Sequence, residues 1–577
     1  MPLMGALYVG ASGLQTSQNA LNTTAHNLAN IDTTGYTRQQ VYQGNRNLIT
    51  VGSSYNNKLQ TGLGVAYTDV RAVRDEFMDK QYRTEAGRSA YYSTSYETIR
   101  EINNLFGETE GAEFQTSLQD LRDALENLSK SPADSTVQSA LITTAAQFLD
   151  RAKAVYGDLS TYQSNLNQQI IDQVDKVNEY AGQIAELNLK ISTYVAGGVE
   201  SPNDLRDARD QLLDELSSYG RITYKEDLRG MVSVFFEGVS LVHEMDTNPM
   251  EAKVIGTKTE GGVEIKGDEA TGFVTPVWKY YDDQEVFSRT QEINADIGSD
   301  SGSIKALLFS RGYKNGTWKD VINDPAGQYN GEYERVTFDT YSDFVGPAGF
   351  SIAEVQAEFD SLIHDLVTSI NDLLTENNTN GSPKLFMRIT PATPDEYDSA
   401  DPTTYTDRKT DFDSEVSDKE LEKTGGTYLA AGEGENYTFT ISNLTINQEL
   451  LRQPSLLCNG FLKDDQTVDY ERAKQLADLF STDKKPLNPN MVTELSYEDF
   501  YIDIINQYAN VGNTYKSVSE SQEASMLSIE NARQQVMGVS DNEELSKLIR
   551  FQNAYNASSR YINTVNSMLD NLLNNLT

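Results

Sequence analysis

MGALYVGASGLQTSQNALNTTAHNLANIDTTGY, Met4–Tyr36, is the stretch whose reading decides the architecture. Met4, Leu7, Ala11, Leu14, Gln18, Leu21, Ala25 and Leu28 recur in it at alternating spacings of three and four, the seam of a helix that lies along another helix. The rhythm stops at ANIDTTGY, Ala29–Tyr36, where polar turn formers and Gly35 take over. Asp32 is the only formally charged residue before Arg38, although the whole chain of 577 residues carries a net charge of −39. The far end of the chain has the same character. Leu545, Leu548, Ile549, Tyr555, Ile562, Val565, Leu569 and Leu572 supply its apolar positions, and after Arg550 its only charges are Arg560 and Asp570. Neither seam can be buried alone, so the two ends are expected to pair as a coiled coil. Gly10, Ala11, Ser17 and Ala25 would allow close approach, and the lack of charge would let identical surfaces meet without repulsion.

Between the ends the pattern changes several times. Thr37–Tyr42, Asn47–Val51 and Gly64–Val73 are short mixed segments broken by glycine, which predicts small strands. Helical periodicity then resumes from Asp75 to Phe106 and again from Phe114 to Leu128, where Ser131-Pro132 ends it. From Ser135 to Val195 one seam runs without a break, a helix of roughly 90 Å. Asn203–Tyr219 adds a short helix. From Arg221 the period falls to two, with Val232, Val234, Phe236, Val239 and Leu241, and strand character is expected to continue past Trp278, Phe287 and Trp318. A helix at 351–377 interrupts this region and could pack with either neighbour. Asp395–Glu422 reads as an acidic loop, and Tyr437–Ile446 as a strand. Helical spacing returns at Glu498 and runs to Val536, and Ser540 with Glu543 predicts a capping box for the last helix.

The expected fold is therefore multidomain α+β with discontinuous layers. Residues 1–36 plus 541–577 form the paired terminal helices. Residues 37–220 plus 491–540 form an elongated long-helix bundle with a small hairpin region. Residues 221–490 form a β-rich inserted domain exposed at the surface.

Composition narrows the function. Lys and Arg number 47 against 86 Asp and Glu, a balance that repels phosphate backbones. No run of 18 apolar residues is present to span a bilayer, and no basic segment followed by an apolar core marks an ordinary signal peptide. The single Cys458 cannot make an intrachain disulfide. Of the three histidines, His243 begins an HExxH pattern, but Thr247 stands where the second histidine is required. His26 and His364 read as structural. No catalytic, cofactor-binding or metal-ligating constellation emerges, and an enzyme is not expected.

Several motifs resemble the bacterial flagellar axial proteins, beginning with ASGL (Ala11–Leu14) and the axial signature ANIDTTGY, with Ala29, Asn30, Thr34, Gly35 and Tyr36. YTRQQV (Tyr36–Val41), Thr61–Arg83, NDLRDARDQLLDEL (Asn203–Leu216), NLTINQELLRQPSLL (Asn443–Leu457) and above all the long Met537–Asn574 stretch resemble the hook-associated protein 1 family. The resemblance covers most of 1–220 and 440–577. It implies a structural role in the hook–filament junction, outside the cell, as an adaptor ring of subunits between the hook protein and the second junction protein, hook-associated protein 3. It also implies export through the flagellar type III apparatus, with a chaperone on the C-terminal region. Leu7, Leu14, Leu21 and Leu28 would then be the N-terminal assembly seam, and Leu545–Leu572 the C-terminal assembly and chaperone seam. Another axial protein (hook or second junction protein) and a surface adhesin displayed by residues 221–490 are the competing readings.

Overall fold

The computed structural model describes residues 2–46, 48–54, 57–106, 114–197, 201–254, 258–260, 263–265, 272–289, 291–321, 338–375, 383–388, 440–463, 465–481, 488 and 493–576. α1 (Pro2–Ala29) ends where the heptad ends. A hairpin region follows, with β1 (Gln39–Asn45) antiparallel to β4 (Val65–Ala72) and β2 (Leu48–Ser54) antiparallel to β3 (Asn57–Gly62). The first pair lies against α1, where Ser12 Oγ accepts from Val65 N at 3.2 Å and Gly64 takes φ +90° beside it. A Cβ at Gly64 would fall 2.1 Å from Ser12 Oγ, so this close crossing requires glycine.

The rod consists of α2 (Glu76–Phe106), α3 (Phe114–Lys130), α4 (Ser135–Gly197) and α5 (Asn203–Ser217). α4 has 63 residues, about 95 Å at the helical rise. Its buried line, from Leu141 through Phe148, Val155, Leu166, Val174 and Ile184 to Ile191, keeps the three-four rhythm throughout.

β5 (Ile222–Glu226), β6 (Val232–Phe236), β7 (Val239–His243) and β8 (Asp246–Thr247) form an antiparallel meander. β9 (Met250–Val254) pairs with β12 (Val274–Trp278), and β10 (Lys258–Glu260) with β11 (Val263–Ile265). Asparagines of α4, Asn188 among them fully buried, hold the first of these sheets and the β9–β12 pair. Asn188 accepts from Val232 N (3.0 Å) and donates to Val232 O (2.8 Å), and Asn178 does the same for Met250 (2.9 and 2.8 Å). Asn167 accepts from Val274 N at 2.9 Å. Each amide satisfies backbone groups that a sheet leaves open at its edge.

Strand structure does not continue past Trp278 as expected. Among the described residues the next regular elements are α6 (Ser303–Arg311), α7 (Phe338–Val345) and α8 (Ile352–Thr375). α6 is buried on every side, so its sequence carries no one-sided period to separate helix from strand. α8 is also buried almost throughout and packs against α4. Its Phe359 meets Phe106 at 5.9 Å and Phe114 at 4.9 Å, which puts this helix in the core of the rod.

β13 (Phe386–Arg388) pairs with β14 (Leu444–Ile446), and Asn371 of α8 holds the backbone of Leu385 and Phe386. The strand expected at Tyr437–Ile446 is thus only three residues long among the described ones, because Thr440–Asn443 make a turn first. The acidic stretch Asp395–Glu422 lies outside the described residues. The chain closes with α9 (Gln448–Arg452), α10 (Tyr470–Asp478), α11 (Tyr497–Met537) and α12 (Asp541–Leu576). α11 returns along α2, with Gly512 against Ile99 and Arg533 on Asp79.

Candidate assembly surface

α1 and α12 pack antiparallel. A Cβ at Gly10 would lie 2.7 Å from Ile562 Cγ1, and one at Gly13 would lie 2.9 Å from Ser558 Oγ. At the other end Asn27 Nδ2 donates to Glu544 Oε2 at 3.0 Å. The face of α1 that meets α12 is Gly10, Gly13, Ser17, Ala20, Thr24 and Asn27, a second three-four line made of small residues. α12 answers with Leu548, Phe551, Tyr555, Ile562, Val565 and Leu569. Small against large lets the two backbones come close.

The leucine line is therefore not the contact line of this pair. Leu7, Leu14, Leu21 and Leu28 are half-buried on its flank, and Met4, Ala11, Gln18 and Ala25 are exposed. Two seams one residue apart share the same rhythm, and periodicity alone selects the one with leucines. On α12 the expected Leu548, Tyr555, Ile562, Val565 and Leu569 face α1, whereas Leu545, Ile549 and Leu572 stay exposed with Met568 and Leu573.

The axial signature forms the joint below this pair. Asn30 N and Nδ2 both donate to His26 O (3.1 and 3.0 Å), and Thr33 Oγ1 donates to Asn30 Oδ1 at 3.2 Å. Ala29 and Thr34 are exposed. Gly35 takes φ +79°, and a Cβ there would press 3.1 Å from Gln211 Oε1 of α5. Tyr36 donates its hydroxyl to Asn27 Oδ1 at 2.8 Å, and its phenol is pushed far up by burial and by Asp204, Asp207 and Glu544. Asn27 uses its whole amide: Oδ1 also accepts from Gln39 N (2.9 Å), and Nδ2 also donates to Gln39 O (2.8 Å). One buried side chain thus ties α1, β1 and α12 together. Sequence reasoning passed over it; its signal is a fully polar residue at a seam position.

The joint is then pinned to the rod. Thr37 N donates to Asp207 Oδ2 at 3.0 Å, and Arg38 N to Met537 O at 2.9 Å. Glu543 pairs with Arg38 Nη1 at 2.9 Å, so it reaches across the joint instead of back into the capping box expected with Ser540. Beneath lies a ladder of charges from three helices. Asp207, Asp210 and Asp214 of α5 meet Arg74 just before α2 (3.4 and 2.5 Å to Asp207 and Asp210) and Arg83 within it (3.3 and 2.6 Å to Asp210 and Asp214). Arg533 of α11 bridges Asp79 (2.8 Å) and Asp214 (2.6 Å). Burial works against the charge on Arg533, but Asp214 and Asp79 overcome it and raise its pKa; burial lifts Asp207 to about 6.

The titratable groups weighed for chemistry lie apart. His26 contacts Tyr36 (3.0 Å), His243 is exposed on β7 near Ser233, and His364 stacks on Trp318 with ring centroids 3.8 Å apart. Cys458 is partly buried. Among the described residues no group of three or more His, Cys, Asp or Glu is placed to hold a metal ion, and no helix is long and apolar enough to cross a membrane.

Comparison with known proteins agrees with this geometry. Residues 99–382 match the family described as the flagellar hook-associated protein FlgK helical domain. Residues 7–37 match the flagella basal body rod protein family, and residues 534–576 the C-terminal family of the flagellar basal body rod FlgEFG proteins. Flagellar hook-associated protein 1 of Salmonella typhimurium is 26% identical over 579 residues, covering 98% of each chain. Those of Escherichia coli (25%, 98% of each chain) and Bacillus subtilis (23%, 98% of this chain and 96% of that one) are similar. The solved flagellar hook junction protein FlgK from Burkholderia pseudomallei aligns at 19% identity and a TM-score of 0.38, over 54% of this chain and 47% of that one. With relatives matched from end to end, and family matches that fall on both terminal helices as well as the rod, the chain belongs to the flagellar hook-associated protein 1 family.

Proposed function

We infer that the chain is a structural component of the bacterial flagellum, outside the cell, forming the junction between hook and filament on which the filament is assembled. The observation that carries this reading is the double seam of α1. The small-residue line is closed by α12, and the leucine line remains half open. A helix that has its intrachain partner and still offers Leu7, Leu14, Leu21 and Leu28 has a surface for a neighbouring subunit. Covering four half-exposed leucines is worth roughly 3–6 kcal/mol. Association costs about 4–15 kcal/mol in lost freedom, so a single such contact leaves subunits apart in dilute solution. In a ring each subunit gains two such contacts, and the balance turns.

Residues 1–36 with 541–577 act as the assembly layer, 37–220 with 491–540 and the buried α8 as the rod, and the remainder of 221–490 as the outward insertion. Within the layer Leu7, Leu14, Leu21 and Leu28 meet the next copy. Ala29, Asn30, Thr34, Gly35 and Tyr36 set the angle to the rod. Leu545, Ile549 and Leu572, with the contact residues Leu548, Tyr555, Ile562, Val565 and Leu569, form the surface an export chaperone covers before α1 docks. The chain associates with other flagellar axial proteins; the hook protein on one side and hook-associated protein 3 on the other are the specific neighbours of this reading, and the flagellar type III apparatus its route.

The test is Leu14→Asp combined with Leu21→Asp in the parent bacterium. Hooks without filaments, flagellin shed into the medium and an unchanged melting transition of the purified variant are expected. Normal filaments would overturn the reading.

A further inference from the structure

Glu354 and Glu358 lie one turn apart on α8, 2% and 0% exposed, in the core of the rod. At this spacing two side chains share one helix face. Among the described residues their hydrogen-bond partners are all neutral. Tyr341 of α7 donates its hydroxyl to Glu354 Oε1. Tyr508 of α11 donates to Glu358 Oε2 at 3.1 Å, and Asn488 Nδ2 to Glu358 Oε1 at 2.8 Å. Glu354 Oε2 is buried with no donor.

Among the described residues, the cations and acids of the surrounding elements that follow have partners of their own. Arg311 at the end of α6 bonds Asn167 and Val274 O, Lys314 pairs with Asp320, and Arg122 of α3 with Glu498. α4 faces α8 with Gln163 and Ser160, both on Gln356. Arg472 of α10 donates to Gly460 O. On α8 itself Asp360 accepts from Trp318 N and Ile441 N, Asp365 from Tyr497, and His364 stacks on Trp318.

Two carboxylates side by side in a dry interior cannot both ionise without a counter-charge. We propose that Glu354 and Glu358 hold a proton between them at neutral pH, so that the packing of α7, α8 and α11 is a latch that tightens in acid and loosens in alkali. Burial raises Glu354 to about 7, and burial together with Glu354 raises Glu358 well above the ordinary carboxylate range. A carboxyl raised in the folded state contributes stability below its unfolded pKa of about 4.3 and loses it as pH climbs through the folded value. The latch therefore weakens from mildly acid to mildly alkaline pH, the range a junction outside the cell meets directly.

The purified full-length chain, Glu354→Gln and Glu358→Gln are melted between about pH 5 and about pH 9. The unsubstituted protein is expected to lose midpoint temperature steadily over this range. Each glutamine variant follows a flatter line and melts about 2–4 °C higher at the alkaline end. Equal slopes in all three overturn the proposal. Infrared difference spectra of the unsubstituted chain give an answer that does not depend on how the variants fold. A protonated-carboxyl carbonyl band of the unsubstituted chain at neutral pH, fading as the pH is raised, supports the shared proton, and no such band overturns it.

Discussion

The rod and the terminal pair are both built from long helices with a three-four rhythm, yet they finish differently. In the rod, Leu141, Phe148, Val155, Leu166 and Ile184 of α4 are fully covered by helices and sheets of the same chain, and asparagines close the strand edges. In the terminal pair one helix covers another along a narrow line, and the leucines beside it stay half open. Buried area per residue decides how far an element can stand alone. The rod is complete as a monomer. The ends leave the leucine line of α1 half open, the surface that a second copy covers in the function proposed above.

The sharpest way to break this comparison is at the seat between the two regions. Arg533→Ala takes the shared cation from Asp79 and Asp214 and leaves them only Arg74 and Arg83, one each, in a site that is almost dry. Removing one partner of a buried pair costs about 3–5 kcal/mol, which is the upper bound here. Denaturant unfolding should show a loss of up to this size in the rod transition; a loss confined to hydrogen exchange of α1 and α12 would mean the ladder serves only the ends. Asn188→Ala comes next. It strands the backbone N–H and C=O of Val232 and the C=O of Glu244, and removes an acceptor from Arg209. A cost of about 1–3 kcal/mol is expected, with exchange protection lost first at β6. If β6 keeps its protection, the amides are not what fastens sheet to rod.

The long helices and the pairing of the ends were legible because a covered helix face repeats over many turns and tolerates single exceptions. The features that decide how surfaces meet were harder to read. Asn167, Asn178 and Asn188 look like interruptions of an apolar seam until the strands that use them are in place. Asp207, Asp210 and Asp214 have the spacing of an ordinary solvated face, and the arginine that bridges Asp214 to Asp79 lies 319 residues further on. The small-residue line of α1 was hidden by the leucines next to it, since hydrophobicity scores the larger side chain even where the tighter fit belongs to the smaller one. α6 was missed because a helix buried on all sides has no polar face to set its period.

The smallest effect tests the comparison with one methyl group in each region. Gly157 lies within α4 with nothing within 4 Å of a Cβ placed there, whereas at Gly10 a Cβ would meet Ile562 at 2.7 Å and Tyr561 at 3.1 Å. Alanine is favoured over glycine within a helix by about 0.8–1 kcal/mol. Gly157→Ala should therefore stabilise the rod by up to about that amount, seen as a higher midpoint in denaturant. Gly10→Ala gains the same propensity but must push α12 away, and overpacking costs about 1–3 kcal/mol. Its net effect should be a faster exchange of amides in α1 and α12 with the rod unchanged. The opposite signs of one substitution would show that the terminal pair is held by closeness of backbones. Equal gains at both sites would mean that α1 rides loosely on α12, and that the small-residue line has no part in setting the seam left open for the next subunit.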